Sequence, residues 1–430
     1  MVSKSINYMK YISVLICTIF LFLAVFGRTF SGLIIYNFRI GELIVVFGLS
    51  VFVMLFFYNL NIFYRKRDFS YIFLLQSLLV ATFVIFLFPE IRNLINPYVY
   101  KASNYIWTLS YLYVGIYIKK YFDLNIYHIL ILNFSLLFSY FLSVVYYPQF
   151  LVDFFFINSD KFDFLKAHMH LLFLIIVSII NFQHLKNKQT NFYYFLLLSG
   201  LFLPLLIFKS RGAFLSFLLF FLFYLLINIK FIKKNIGRLL IVLAISSLLF
   251  VQSSIFVSDS DLTLGETDLV VSNLIDNKET LKTFFSFYTL DGRLYSDDGN
   301  INWRLQIWQD VFIESSEFNQ IFFGSGFEEI ISAMDTPSRT GADGFNENVH
   351  NYFINVFARG GLVHLLLILG VYICLLKNIK DTYSLLFAMA IVLPILTVSF
   401  FDASMENPHF PAIFYLFIGF IQKKDYYNKI

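Results

Sequence analysis

The chain has 430 residues, 59% of them hydrophobic and only 14% charged, and a formal net charge of +4; its mean hydropathy is +0.72. Soluble domains hold about half apolar and a quarter charged residues, so this composition excludes a soluble enzyme and reads as one polytopic membrane domain. The small positive charge, with no basic stripe, excludes nucleic acid as a partner, and the two cysteines, Cys17 and Cys374, lie in apolar runs and build neither a disulfide framework nor a metal site.

Lys4 and Lys10 precede an apolar run with no small-residue cleavage site after it, which predicts a retained first helix rather than a removed leader. About 20 apolar residues cross a bilayer core as a helix. Twelve such segments follow: 11–27, 41–63, 70–88, 104–118, 124–147, 167–182, 192–208, 212–229, 236–257, 351–376, 382–400 and 409–421. The fourth and twelfth are short, and tilted or partly re-entrant. With the N-terminus in the cytoplasm, the inner segments hold 18 of the 32 basic residues and four of the 28 acids. Basic residues favour the cytoplasmic side, so both termini are expected inside. The chain then divides into spans 1–9 over residues 1–257, a large outer loop over 258–349, and spans 10–12 over 350–430.

Polar residues inside the spans, Glu42, Gln76, His128 and Asn133, are expected to make hydrogen bonds between helices. His168 and His170, at the outer end of span six, form a His-x-His pair that lacks the further ligands a metal needs. Between spans seven and eight, Lys209-Ser210-Arg211-Gly212-Ala213 leaves Arg211 at or just below the outer interface, where a charge tends to be paired or functional.

Residues 258–349 carry 17 acidic and 5 basic residues, unlike anything else in the chain. The first part, to residue 300, reads as irregular. Residues 301–319 have helical periodicity, with Arg304, Trp308 and Val311 on one face and Asn300 or Asn302 as cap. Gly324-Ser325-Gly326 breaks the chain, 332–348 is turn-prone, and His350-Asn351 opens span ten. Asn351, Asn355 and Arg359 share a helical face. In the last outer loop, Asp402, Glu406 and His409 read as exposed. The outer face thus collects Lys209, Arg211, Arg304, His350, Asn351 and Arg359. Cations on an otherwise acidic surface point to an anionic ligand, at this depth a lipid phosphate or diphosphate, which the planar fork of arginine suits.

The order Ser210-Arg211-Gly212-Ala213, Arg304 with Trp308, Gly324-Ser325-Gly326-Phe327, and His350-Asn351 with Gly360-Gly361 resembles the O-antigen polymerase and O-antigen ligase superfamily of bacterial envelope glycosyltransferases. The likeness covers roughly residues 190–400 and the twelve-span layout. His364, after the glycine pair, departs from ligase-like members. The resemblance implies an all-α polytopic membrane protein whose outer loop holds short helices over a lipid-facing cavity. It also implies an undecaprenyl-diphosphate-linked oligosaccharide donor, a sugar acceptor, membrane lipids and a chain-length regulator as partners. No metal, nucleotide sugar or other cofactor is implied. Carried over, Arg211 and Arg304 grip the diphosphate and His350 is the base that accepts the acceptor's proton. Ser210, Trp308, Asn351 and Arg359 are expected to bind substrate. Arg293 and Arg339 compete with Arg304 for the role of loop arginine. Polymerase is the favoured activity, ligase the alternative, and a polysaccharide flippase a distant third.

Overall fold

The computed structural model describes residues 2–58, 67–87, 96–160, 162–185, 188–259, 286–336, 339 and 347–422. Most of residues 258–300, read above as irregular, and the basic residues Arg65, Lys66, Lys186, Lys423, Lys424 and Lys429, lie outside them.

The architecture is an all-α polytopic membrane protein. Its helices are α1 (Val2–Ser31), α2 (Ile40–Tyr58), α3 (Arg67–Leu87), α4 (Pro97–Ala102), α5 (Asn104–Trp107), α6 (Tyr111–Tyr121), α7 (Ile126–Tyr140), α8 (Gln149–Asn158), α9 (Ala167–His184), α10 (Lys188–Lys209), α11 (Arg211–Ile227), α12 (Ile229–Lys234), α13 (Ile236–Asp259), α14 (Gly299–Glu317), α15 (Tyr352–Thr382), α16 (Leu385–Phe401) and α17 (His409–Phe420). Among the described residues eight helices are long and apolar enough to cross a membrane, and α8, α11, α16 and α17 are shorter apolar helices. Two antiparallel hairpins join them, β1 (Ile34–Ile35) with β2 (Phe38–Arg39), and β3 (Phe287–Leu290) with β4 (Arg293–Ser296).

Helices form here because a bilayer offers no partner for a bare amide, so every spanning segment must satisfy its own backbone. Interior and lipid are both apolar, so burial is set by packing rather than by polarity. Helix α9 is the central post, buried from Ala167 to Asn181. By contrast, α13 lies at the periphery with most of its side chains outward. Helix α6 packs on α17, where Gly115 and Gly419 leave no side chain between the backbones. The fourth predicted span is not one helix: α5, a 3₁₀ turn at Thr108–Ser110 and α6 follow one another, buried in protein from Asn104 to Gly115. Helix α8 was not foreseen. It presents Phe150, Phe154, Phe156 and Ile157 outward, as a helix resting in the interfacial plane does.

Some polar residues inside the bundle pair as expected. Gln76 donates to the Ile106 carbonyl (3.0 Å) and the Ser110 hydroxyl (2.9 Å), and Asn133 and Asn181 exchange amide hydrogen bonds. Glu42 and His128 do not bridge helices. Each closes a helix start, Glu42 on the Arg39 amide and His128 on the Asn125 amide. His364 joins three elements, bonded to Tyr105 at Nδ1 and Thr82 at Nε2, both 2.6 Å. Thr82 also bonds to the Leu78 and Leu79 carbonyls. Spending its proton there leaves His364 Nε2 as the donor to Thr82 and the Tyr105 hydroxyl as the donor to Nδ1.

That staple sits beside a kink. At Gly361 φ is +64°, outside helical space. The kink frees carbonyls and amides of α15, and the Gly324-Ser325-Gly326 turn takes them up. Ser325 and Gly326 donate to the carbonyls of Ala358 and Arg359, while Leu362 and Val363 donate to those of Ile321 and Phe322. A Cβ at Gly361 meets the Phe322 backbone and one at Gly324 meets the Arg359 backbone, so both glycines are dictated by this approach. The two glycine motifs of the sequence are therefore one latch, fixing the loop before α15 to that helix.

Candidate functional site at one end of the bundle

Five helix ends meet beneath α14. Helices α11, α15, α9 and α17 begin there and α16 ends there. Ser210 caps α11, accepting from the Ala213 amide at 3.1 Å, and its hydroxyl donates to Asp402 Oδ2 at 2.7 Å. Asn351 caps α15 through the amides of Phe353 (3.0 Å) and Ile354 (3.1 Å). Helix α14 is capped by Asp298, not by Asn300 or Asn302, and Asp298 also accepts from Arg211 Nη1 at 2.6 Å. Arg211 is thereby tied to the helix that carries Arg304, across 87 residues of sequence.

Asp402 is the hub. Beyond Ser210 it stands 3.8 Å from Arg304 Nη2 and 3.9 Å from His168 Nδ1. Arg304 also donates to the carbonyl of Phe401. Of the three loop arginines it alone turns to this point. Arg293 and Arg339 both close on Asp310, one on each carboxylate oxygen.

His350 adopts φ +54°, a left-handed conformation unusual for a residue with a Cβ. Its neighbours enforce it. The indole of Trp308 donates to the Val349 carbonyl at 2.8 Å, and Trp303 meets the imidazole edge to face at 5.2 Å. Burial pushes the imidazole down to about 4; Arg304 and Lys166 push the same way, and Asp402 opposes them. His350 is therefore neutral at pH 7, with a lone pair in place of a proton on one ring nitrogen.

Arg211, Arg304, His350 and Ser210 thus come together around Asp402 and Asp298. Trp308 stands behind His350 and spends its N–H on the backbone, while Asn351 is fully buried as a cap. Arg359 lies apart. It is 3% exposed, donates to the carbonyls of Glu329 and Gly326 and to the Tyr98 hydroxyl (2.6 Å), and stacks on the Tyr98 ring. In this structure it serves the latch rather than an open surface. The loop before α15 folds over it, through the Gly326 and Glu329 carbonyls.

The last loop is corrected more fully. Glu406 and His409 are buried, at 8% and 3% exposure. Burial pushes the Glu406 carboxyl up to about 8, although the Asn351 amide, Arg359 and Arg304 all favour its charged form. Asp402, Asp298 and Lys166 were missed as site residues. An acid just past an apolar span does flag Asp402, but only tertiary structure shows it facing four helix ends. His168 faces Asp402, whereas His170 bonds Ser143 at 3.1 Å, so the pair diverges.

Residues 194–369 match the family model described as O-antigen ligase. The matched stretch runs from α10 through the kink of α15 and so contains Ser210, Arg211, Arg304, Trp308, His350, Asn351 and Arg359, while Asp402 and the first 193 residues fall outside it. The match supports the O-antigen ligase and polymerase superfamily, a class of glycosyl-transferring membrane enzymes acting in polysaccharide biosynthesis. No curated protein matches the chain.

Proposed function

We propose that the chain is a polymerase of O-antigen, capsule or exopolysaccharide, which transfers a glycan from undecaprenyl diphosphate to a sugar hydroxyl of a lipid-linked repeat unit. It acts on the outer face of the bacterial plasma membrane, with both termini in the cytoplasm and residues 258–349 as the lid. The observation that carries this reading is the meeting of Arg304, Ser210 and His168 on Asp402, with neutral His350 beside them and Arg211 linked through Asp298.

The chemistry follows from that grouping. The acceptor oxygen attacks the anomeric carbon as its proton passes to His350, and the bond from that carbon to the diphosphate oxygen breaks. A positioned base of this kind contributes about 10²–10⁴-fold. Negative charge gathers on the departing diphosphate, where Arg211 and Arg304 stabilise it. Attack opposite the leaving group inverts the anomeric centre. In the free protein Asp298 and Asp402 hold the two guanidinium groups, and the diphosphate competes with them. Arg211 is well placed for this exchange, since its side chain is 54% exposed and an exposed ion pair is worth only about 0–1 kcal/mol. Trp308 and Asn351 position the His350 turn.

A ligase, moving a finished chain to a lipid A core sugar or to protein, is the second reading, favoured by the description of the matched family. The glycan of a deletion strain separates the two. Single repeat units on the core support the polymerase, and long chains left on the carrier lipid support the ligase.

A further inference from the structure

Next to the His350 site lies a second cationic cleft, lined by Arg28, Phe164, Lys166, His168, Met169, Asn407 and His409. Its walls are stitched together from distant parts of the chain. At Gly27 φ is +54°, which redirects the last turn of α1, and a Cβ there would press on Leu165 at 2.6 Å. Beyond that bend Thr29 Oγ1 donates to the Asp163 carbonyl (2.6 Å) and accepts from the Asp163 amide (2.9 Å), while Ser159 donates to the Thr29 carbonyl. Ser31 meets His409 Nδ1 at 3.3 Å, closing the third side.

Among the described residues, charge in this cleft is not balanced. Arg28 and Lys166 share one carboxylate, Asp163, at 3.7 and 3.9 Å, the outer limit of an ion pair. Lys166 is 52% exposed and Arg28 36%, so both cations reach the surface. The inner wall is His168, whose other side is Asp402, and Lys166 acts on His350 itself. Cleft and site therefore share a wall, both at the end of the bundle where α1 finishes and α9 starts. Nothing in the proposed transfer uses Arg28, and Lys166 enters it only through its charge near His350.

We propose that this cleft seats the phosphate groups of the acceptor, a second polyprenyl-diphosphate-linked glycan, gripped by Arg28 and Lys166 so that its terminal sugar passes His168 and reaches His350. The inference rests on the polymerase reading, since a polymerase must hold two lipid diphosphates at once. It assigns Arg211 and Arg304 to the donor and Arg28 and Lys166 to the acceptor. Two anions held at neighbouring sites repel one another, so each needs cations of its own.

The test uses the full chain in detergent and a short polyprenyl diphosphate without sugar, counted by native mass spectrometry. Wild type is expected to hold two copies. Arg211→Ala should lose one, Lys166→Ala and Arg28→Gln the other, and Lys166→Arg should keep both. In kinetics, Arg28→Gln should raise the KM for a lipid-linked acceptor about tenfold, while its KM for the donor and its rate with a diphosphate-free oligosaccharide acceptor stay unchanged. A single bound copy in wild type, lost only with Arg211→Ala, overturns the acceptor site and leaves the proposed function standing. Displacement of the second copy by an equal concentration of phosphatidylglycerol or inorganic phosphate overturns it too, marking a site for any anion. Retention of both copies in Arg211→Ala instead counts against the donor assignment of the proposed function.

Discussion

Acid should expose how far His350 is held from its ordinary behaviour. In the free protein its imidazole is pushed down to about 4, by burial first and then by Arg304 and Lys166 against Asp402. If His350 is the base, kcat/KM, which reports the free enzyme, stays flat to about pH 5 and breaks near about pH 4. A histidine at its usual pKa of about 6.5 would be only about 3% neutral at about pH 5, a loss of roughly 30-fold from its plateau, whereas one at about 4 would still be about 90% neutral. Bound diphosphate brings negative charge to Arg304 and cancels its effect, so the acid limb of kcat should lie above that of kcat/KM. Charge substitutions fix the sign. Arg304→Gln removes a cation and should move the kcat/KM limb up through its residual activity, and Asp402→Asn removes an anion and should move it down. Initial rates of polymer formation by purified protein across this pH range read all three. A limb near 6.5 that neither substitution moves would refute His350 as the group observed.

Other expectations follow from single contacts. Gly361→Ala forces a side chain into a left-handed backbone, at about 1–3 kcal/mol, and against Phe322 as well. Its thermal midpoint in detergent should drop by several degrees with loss of activity, and an unchanged midpoint would contradict the latch. Trp308→Phe keeps the ring but strands the Val349 carbonyl, a penalty of about 1–3 kcal/mol. It should lower kcat about tenfold with KM nearly unchanged, whereas a rise in KM alone would make Trp308 a substrate contact. Arg211→Lys keeps the charge but loses the fork, so the donor KM should rise about tenfold or more, and wild-type kinetics would reduce Arg211 to an anchor for Asp298.

What the sequence revealed followed from local rules. Apolar runs gave the bundle, because a bilayer permits little else. The 3.6-residue period placed Arg304, Trp308 and Val311 on one face of α14, and Val311 is indeed buried while Arg304 turns to Asp402. What stayed hidden depended on pairing across the chain. Asp298 outcompeted two asparagines as cap while also binding Arg211 from another hairpin. Asp402 read as a solvated loop acid because nothing nearby in sequence shows its four helix ends. Arg359 looked like a member of the cation row, yet the kink at Gly361 lets the loop close over it. Helix α8 escaped notice because its 10 residues are too few to read as a span.

The claim that His350 takes the acceptor's proton is tested most directly by one comparison. Purified wild type and His350→Ala are mixed with lipid-diphosphate-linked repeat units, and the products are resolved by length. Wild type should build a ladder while the variant, folded to the same thermal midpoint, leaves single units. A ladder of near-normal length from His350→Ala would contradict the account.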